Sequence, residues 1–429
     1  MNIILTGMRG AGKSTVGKIL SKKLNKDFID LDTLLEKKLK MKIADIVKKY
    51  GWDYFRKQES IIVKELNVNN AVVATGGGVI LKKENVDLLK RNGIFIYLET
   101  NLKALSSRID DNNRPSLVQG KTIKDELSEV FMQRKEIYEN TADIAIETDN
   151  LNEQHVANEI IEKFEGLFVI IGAPVEHSLS PKMHNAAYKF LKIDNKFSYI
   201  RCHVDPSGLE DFIKDSRKLG IKGICTTIPH KSEVIKYIDE IDGTAKKIGA
   251  VNTIVNVGGV LKGYNTDWIG IFDPLEKITS LKNKKVTILG AGGAARAAVF
   301  AMVKDDANVT IHNRTLEKAE ELAKEFGCKA LPIDKLNDVK DADIVINTTS
   351  VGLHPNEDKS PLSKNLMSKK QIIFDVVYSN KDTKFIKDAK TKGAKTISGI
   401  EMLLHQGFEQ FKLFTGLNAP EEVMRKAIL

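Results

Sequence analysis

Cysteine is scarce. The 429 residues hold three, Cys202, Cys225 and Cys328, far apart and in no C-x-x-C pair. That excludes a disulfide framework and a zinc finger and suggests a reducing compartment, the cytoplasm. Proline is scarce too, at ten residues, which excludes collagen-like and proline-rich disordered chains. No apolar run approaches the roughly 18 residues of a membrane span; residues 167–171 form one of the longest. Met1-Asn2 lead directly into a strand-like run, so no secretory leader is expected. Charge of one sign is in mild excess only, 66 basic against 57 acidic residues, or +9. The excess is dispersed, much of it as lysine pairs such as Lys22-Lys23 and Lys284-Lys285. Nucleic-acid binding gathers its cations on one face, so neither nucleic acid nor a membrane is expected as partner. Small anions, meaning nucleotides and carboxylates, suit such a surface better. A homo-oligomer stays open.

At about 100–200 residues per domain the length calls for two to four domains. Strand-like runs at 2–6, 71–75 and 94–98 alternate with helical patterns at 14–24 and 31–39. The alternation predicts α/β layers on a parallel sheet. A helical run over 153–164 stops at Gly166 and a new strand starts at once, which puts a boundary at 165/166 with almost no linker. Beyond it, strands are expected at 167–171, 197–204 and 223–228, then a pair joined by a hairpin turn at Gly258-Gly259. A further set begins at 285–289 and continues at 308–312, 343–347 and 371–376; a helix is expected over 401–414. The expected division is 1–165, then 166–270 completed by 400–429, then 271–399.

Gly7-Met8-Arg9-Gly10-Ala11-Gly12-Lys13-Ser14 follows a strand and opens a helix, the setting that a G-x-x-x-x-G-K-[ST] phosphate loop requires. Glycines let main-chain N–H groups approach phosphate oxygens, and the helix N-terminus adds partial positive charge. Gly10, Ala11, Gly12, Lys13, Ser14 and Thr15 are the expected ATP-binding residues, with Lys13 on the β and γ phosphates and Ser14 on Mg²⁺. Asp30-Leu31-Asp32 follows a short strand. Its carboxylates either serve magnesium and the phosphate acceptor or cap the next helix, with Asp32 placed to do so. Arg56 has Glu59 three residues on, one helical face apart. Gly76-Gly77-Gly78 end a buried strand, and three glycines there imply close approach of a ligand to the backbone. The polar segment 110–120, with Arg114-Pro115, reads as a loop able to fold over the phosphates.

In order, the phosphate loop, Asp30/Asp32, Gly51–x–x–x–Phe55-Arg56–x–x–Glu59, the three glycines, Arg114-Pro115 and Arg134 before Tyr138 resemble shikimate kinase over about 1–163. The resemblance implies that Asp32, Arg56, Gly77, Gly78 and Arg134 hold shikimate, that Asp30 serves Mg²⁺ and Lys13 catalysis, that Arg108 lies near adenine and that Arg114 belongs to a lid. Trp52 and Ser116 depart from the family pattern, and neither removes a needed charge.

In the second half, His177-Ser178-Leu179-Ser180-Pro181 set two hydroxyls on one side of a turn; Ser180-Pro181 also reads as a helix start. Thr226-Thr227-Ile228-Pro229-His230-Lys231 end a strand, and Asp267 taken alone reads as a helix cap. Gly290-Ala291-Gly292-Gly293-Ala294 between a strand and a helix are a variant of the dinucleotide fingerprint. At the end of the next strand, where an acidic residue would take the ribose 2′-hydroxyl of NAD, stand Asn313, Arg314 and Thr315, with Lys318 nearby. A cation and a hydroxyl suit a 2′-phosphate, so NADP is favoured. Thr348 lies in the loop ending the following strand.

These motifs, with Met183-His184-Asn185, residues 249–253, 265–267, 375–378 and 399–406, resemble shikimate 5-dehydrogenase over about 167–429. The resemblance implies Lys231 and Asp267 as the catalytic pair, Ser178, Ser180, Thr227, Asn252 and Gln406 as substrate ligands, and Gly399 beside the cofactor. Cys225 and Asn380 depart from the family pattern. Together the halves imply a fusion that reduces 3-dehydroshikimate with NADPH and phosphorylates shikimate with ATP. A quinate dehydrogenase using NAD, or a regulatory protein that has lost its chemistry, stand as rivals. The reading of residues 313–315 has a direct consequence. Arg314→Asp is expected to weaken NADPH and favour NADH, because a ribose-hydroxyl partner replaces a phosphate partner. An unchanged KM for NADPH would show that this turn does not meet the 2′-phosphate.

Overall fold

The computed structural model of the chain describes residues 1–109, 122–379 and 381–429. The expected lid at 110–120, with Arg114, and Asn380 lie outside the described residues. Two compact units result: Met1–His177 with Ile200–Lys222, and Ser178–Tyr199 with Gly223–Leu429. Among the described residues no helix is long and apolar enough to cross a membrane.

The first unit opens with β1 (Asn2–Thr6), α1 (Lys13–Leu24), β2 (Asp27–Asp30), α2 (Leu31–Leu39), α3 (Ile43–Glu65), β3 (Ala71–Ala74) and α4 (Lys83–Leu89). It continues through β4 (Gly93–Glu99), α5 (Leu102–Arg108), α6 (Ile123–Thr141), β5 (Ile144–Glu147) and α7 (Glu153–Glu165). All five strands are parallel, in the order β2-β3-β1-β4-β5. The middle strands read NIILT, AVVA and GIFIYLE and are buried almost throughout, as a sheet covered by helices on both faces demands. The expected strands at 2–6, 71–75 and 94–98 lie where the apolar runs put them. Strand β5, IAIE, alternates buried and exposed at the sheet edge and is too short to stand out in sequence. Helix α3 carries a kink at Gly51 (φ 81°, ψ 170°), where a glycine absorbs a conformation other residues resist.

The chain then runs through β6 (Leu167–Gly172), α8 (Ser180–Phe190), β7 (Ser198–His203) and α9 (Leu209–Lys218). Of these, β6 and α9 belong to the first unit and α8 to the second. Helix α9 is tied to β1 and β2 by a buried ion pair. Lys26 Nζ donates to Asp215 Oδ2 (2.8 Å), Met1 O (2.9 Å) and Asn70 Oδ1 (2.6 Å). The Met1 amine also donates to Asp215 (2.7 Å). Further bonds extend the joint: main-chain Asn92 N donates to His203 O (2.8 Å), and Asp205 N donates to the Asn92 side-chain Oδ1 (3.2 Å).

In the second unit β8 (Gly223–Thr226), β9 (Glu240–Ile241), α10 (Gly243–Ile248), β10 (Thr253–Val257) and β11 (Val260–Tyr264) come first, side by side as β8-β10-β11-β9. The expected hairpin turn has φ 61° at Gly258 and 89° at Gly259. Helix α11 (Asp267–Glu276) leads into β12 (Lys285–Leu289), α12 (Gly293–Val303), β13 (Asn308–Asn313), α13 (Leu316–Phe326) and β14 (Lys329–Pro332). Then follow β15 (Ile344–Asn347), β16 (Ile372–Asp375), α14 (Lys384–Thr391), β17 (Lys395–Ile397), α15 (Gly399–Thr415) and α16 (Glu421–Ile428). The six parallel strands run β14-β13-β12-β15-β16-β17, the doubly wound order of dinucleotide-binding sheets. Edge strands β14 and β17 were not anticipated, because neither has a fully apolar run. Chain direction reverses its winding between β12 and β15, which opens a crevice at their carboxyl ends.

Lys26 is buried to 2 % side-chain exposure and its ion-pair partner to 12 %. Removing one charge of a buried pair strands the other and costs about 3–5 kcal/mol. Asp215→Asn is expected to lower the denaturation midpoint of the first unit by a corresponding amount. A midpoint equal to that of the wild type in urea unfolding would show that the joint contributes nothing.

Candidate active sites

At the carboxyl ends of β1, β2 and β3 lies a cleft of about 320 Å³. It is lined by Gly10, Gly12, Lys13, Ser14, Thr15, Asp30, Asp32, Arg56, Gly77, Gly78 and Arg134; Ala11 is buried beneath it. The chain leaves β1 through Gly7 (φ 145°), Gly10 (83°) and Gly12 (88°), backbone angles that favour glycine. Helix α1 then starts without a side-chain cap and without an acidic residue in its first turn. Its N–H groups therefore stay available to an anion. Lys13 Nζ lies against the carbonyls of Gly7 (2.9 Å) and Met8 (2.8 Å). Ser14 Oγ donates to Asp30 Oδ2 (2.5 Å), so two hard oxygen ligands of the kind Mg²⁺ takes stand together. The helix cap is Asp30 rather than Asp32: Asp30 Oδ1 accepts from Thr33 N (3.0 Å), and Asp32 sits in the first turn of α2. The cap occupies one oxygen of Asp30 and leaves the other turned to Ser14.

Arg56 donates from Nη1 to both carboxylate oxygens of Glu59 (2.9 and 2.8 Å). This is no surface pair, since Glu59 is 3 % exposed, and burial pushes its carboxyl above the usual range. Two of the three glycines, Gly76 and Gly78, make room for side chains of the site itself. A Cβ at Gly78 would collide with the Arg56 guanidinium, and one at Gly76 would lie 2.8 Å from Asp32 Oδ1 and Glu59 Oε1. Arg134 Nη1 (3.2 Å) and Tyr138 Oη (2.5 Å) both donate to Gly77 O. Tyr138 is buried and stacks on Tyr97 at 5.1 Å; burial pushes its phenol to about 12, so it stays a donor. Arg108 bonds the Thr148 carbonyl (2.8 Å), apart from the cleft lining.

The second unit holds another constellation. Lys231, in the turn after β8, donates from Nζ to Asp267 Oδ2 at 2.6 Å. Asp267 begins α11 but its side chain does not cap it; Asp267 Oδ1 instead accepts from Asn252 Nδ2 (2.9 Å). Ser180 opens α8 itself, with Leu179 at the cap position, and its N–H donates to Ser178 Oγ (3.3 Å). Both serines are buried, as is Gln406 on α15; Thr227 is half-buried. Gln406 Nε2 donates to Leu403 O (2.8 Å) and its Oε1 accepts from Thr266 Oγ1 (3.3 Å).

Gly290 (φ 113°) turns the chain from β12, and a Cβ there would lie 2.6 Å from Thr348 Oγ1. Thr348 Oγ1 donates to Leu289 O (2.7 Å), pinning this turn to the end of β15. Ala291 and Gly292 complete it, and α12 starts at Gly293-Ala294 with no side-chain cap and no acidic first turn. These features fit a dinucleotide's phosphates. A Cβ at Gly293 would come within 3.3 Å of the Lys231 stem, so the phosphate turn and the Lys231–Asp267 pair adjoin. Asn313, half-buried, ends β13; Arg314 and Thr315, both exposed, connect it to α13, and Lys318, also exposed, lies in the first turn of α13. Gly399 starts α15 where a Cβ would meet the Val377 main chain at 2.5 Å, so close packing of two segments requires this glycine.

Sequence reasoning passed over Tyr138 as a positioning group, and over Thr253 and Gln410 behind Asp267. Nothing in a period or motif marks a buried hydroxyl or amide as part of a site.

Family models describe residues 9–165 as shikimate kinase, 170–254 as shikimate dehydrogenase substrate binding domain, 274–378 as shikimate / quinate 5-dehydrogenase and 399–429 as shikimate 5'-dehydrogenase C-terminal domain. Shikimate dehydrogenase (NADP(+)) of Methanosphaera stadtmanae is 41 % identical over 270 residues, covering 61 % of this chain and 95 % of that protein. Its counterpart from Methanocaldococcus jannaschii is 44 % identical over 276 residues, with 61 % and 95 % covered. Among solved structures, shikimate 5-dehydrogenase from Thermus thermophilus in complex with NADP(H) and shikimate is 36 % identical at a TM-score of 0.57, covering 61 % of this chain and 98 % of that one. Quinate dehydrogenase from Corynebacterium glutamicum in complex with NAD is 28 % identical at 0.55, with 61 % and 97 % covered.

The two donors on Gly77 O lead to a test. Tyr138→Phe is expected to loosen the glycine loop and raise the KM of the phosphate acceptor about fivefold, the scale of one hydrogen bond near 1 kcal/mol. The KM for ATP should not move. An acceptor KM equal to the wild type would mean that Arg134 alone suffices.

Proposed function

The chain belongs to the shikimate dehydrogenase family and carries a shikimate kinase domain ahead of that part; from this premise we propose how its residues divide the work. The protein is a bifunctional enzyme of the shikimate pathway: it reduces 3-dehydroshikimate to shikimate with NADPH and phosphorylates shikimate with ATP and Mg²⁺. The observation that carries the assignment of residues is the Lys231–Asp267 contact of 2.6 Å beside Gly293.

In the reduction, bound NADPH supplies the hydride. Lys231 meets the negative charge that develops on the carbonyl oxygen and handles its proton, since a positioned ammonium donates where charge appears. Asp267 holds that ammonium on one oxygen and is itself held on the other by Asn252. Ser178, Ser180, Thr227 and Gln406 take the substrate's hydroxyls and carboxylate. Asn252 works chiefly through Asp267, because both of its amide hydrogens are engaged, with Thr266 Oγ1 (2.9 Å) and Asp267 Oδ1. Asn313, Arg314, Thr315 and Lys318 take the 2′-phosphate end of the cofactor. Gly290, Ala291, Gly292, Gly293, Ala294, Thr348 and Gly399 form the rest of its seat.

In the phosphorylation, Arg56 and Arg134 hold the shikimate carboxylate in guanidinium forks. Asp32, Gly77 and Gly78 bound the ring, with Asp32 on its hydroxyls. Lys13 meets the β and γ phosphates, residues 10–15 cradle them, and Ser14 with Asp30 would hold Mg²⁺, which shields phosphate charge. Arg108 and Arg114 complete the nucleotide side. The working division is 1–165 for the kinase, 166–270 with 400–429 for the dehydrogenase's substrate lobe, and 271–399 for its cofactor lobe. We place the enzyme in the cytoplasm, a reducing setting that suits three free cysteines.

Lys231→Ala should lower the reduction rate roughly 100-fold or more, the scale of positioned proton transfer, and leave phosphorylation at its wild-type rate. A mutant that still reduces 3-dehydroshikimate normally would remove Lys231 from the mechanism.

A further inference from the structure

Behind Asp267 lies a line of buried polar groups whose hydrogen-bond directions are dictated from both ends. At the far end, Gln406 Nε2 donates to the Leu403 carbonyl (2.8 Å), which can only accept. Gln406 Oε1 must therefore be the oxygen that faces Gln410. The group presented there is Gln410 Nε2 (3.4 Å). That same nitrogen donates to Thr253 Oγ1 at 2.8 Å and reaches Cys225 Sγ at 3.3 Å. On its other side Gln410 Oε1 accepts from Tyr199 Oη (3.4 Å). Gln410 is fully buried.

Thr253 thus accepts from Gln410, which leaves its own proton for Asn252 Oδ1 (2.9 Å). At the near end Thr266 N–H, which can only donate, also reaches Asn252 Oδ1 (2.8 Å). With its oxygen held by these two donors, Asn252 turns its N–H₂ toward Asp267 Oδ1 (2.9 Å). Asn252 and Thr253 are buried completely or nearly so, so water does not compete for these bonds, and an amide left unanswered here would be costly.

The geometry points to Gln410 and Thr253 as positioning residues of the reduction: they hold the Asn252 amide with its N–H₂ toward Asp267, and through it the posture of the Lys231–Asp267 pair, while Gln410 also steadies the Gln406 amide. Their bonds run to Asn252, Gln406, Tyr199 and Cys225 and to each other, not to Lys231 or Asp267. Cys225 stands in the same layer, where the family pattern has asparagine. Burial pushes its thiol to about 11, so it offers Gln410 a weak, neutral contact and leaves Thr253 as the stronger partner. This inference rests on the assignment of Lys231 and Asp267 to proton handling.

The test uses the full-length enzyme, whose kinase rate reports on the intact chain and whose NADPH affinity, read by nicotinamide fluorescence, reports on the cofactor lobe. Thr253→Val keeps the shape and removes the hydroxyl. It should lower kcat for reduction by roughly tenfold, about one well-placed hydrogen bond, with NADPH affinity and kinase rate unchanged. Thr253→Ser, which keeps the hydroxyl, should recover most of the rate. Gln410→Met should lower kcat similarly, and also raise the KM for 3-dehydroshikimate through Gln406. If the two act in one line, the Thr253→Val, Gln410→Met double variant should be no slower than the worse single. Wild-type kcat in Thr253→Val, an equal loss in Thr253→Ser, or losses that multiply in the double variant would overturn the positioning role. Asp267→Asn separates the two levels. Wild-type turnover there would overturn the assignment of the pair and this inference with it. A large loss there, alongside a silent Thr253→Val, would overturn the inference alone.

Discussion

Burying a carboxylate is costly unless each of its oxygens is answered, and the dehydrogenase site is organised around meeting that demand at Asp267. Its side chain is 5 % exposed. Lys231 answers one oxygen and Asn252 the other. Each partner is then constrained in turn. Lys231 sits in a turn whose carbonyl accepts from Val251 N (2.7 Å), and Asn252 is held by Thr266 N–H and the Thr253 hydroxyl. A mobile ammonium on four methylenes becomes a fixed donor without any rigid element of its own. The same principle sets the end of the cofactor sheet. Asp375 is fully buried and accepts from Asn347 Nδ2 (2.8 Å), Val377 N (3.1 Å) and Thr383 Oγ1 (2.5 Å). Burial nonetheless pushes its carboxyl to about 6.

The two proposed nucleotide seats repeat one physical solution on different sheets. In each, a buried strand ends in a glycine turn and a helix begins with its N–H groups uncapped. Helices α1 and α12 have no acidic residue in the first turn, whereas α6 and α9 have two each. Acidic residues there stabilise a helix by matching its dipole. Leaving them out reserves the positive end for phosphate. The modest overall charge of +9 then matters less than these local fields.

In the kinase cleft, charge is balanced within the site. Arg56 carries a buried Glu59 as its permanent partner, which fixes the guanidinium while leaving its remaining N–H groups for a ligand. Trp52 and Phe55 flank it, with ring centroids 5.6 and 5.1 Å from the guanidinium carbon. An arginine so enclosed loses little freedom on binding a carboxylate.

Much of this was legible in the chain before its folding. The phosphate loop, the glycine turn at 290–294 and the central strands follow from local rules: apolar runs of strand length, glycines where the backbone bends, a helix opening directly after the turn. Their order along the chain was enough to mark two enzymes. Edge strands β5, β14 and β17 were not legible, because a short half-exposed segment has no periodicity to read. Nor did spacing tell that Asp30 rather than Asp32 caps α2, that the Glu59 partner of Arg56 is buried, or that Ser178 accepts the N–H of Ser180. Those outcomes depend on which neighbours surround a side chain. The sequence by itself determined the kinds of chemistry present and the ends of the strands where they stand. Tertiary structure alone decided the directions of the polar groups, since Leu403 and Gln410 on α15 meet Asn252, Thr253 and Asp267 from a part of the chain some 140 residues earlier, and the direction of each bond is set by what the next group can only donate or only accept.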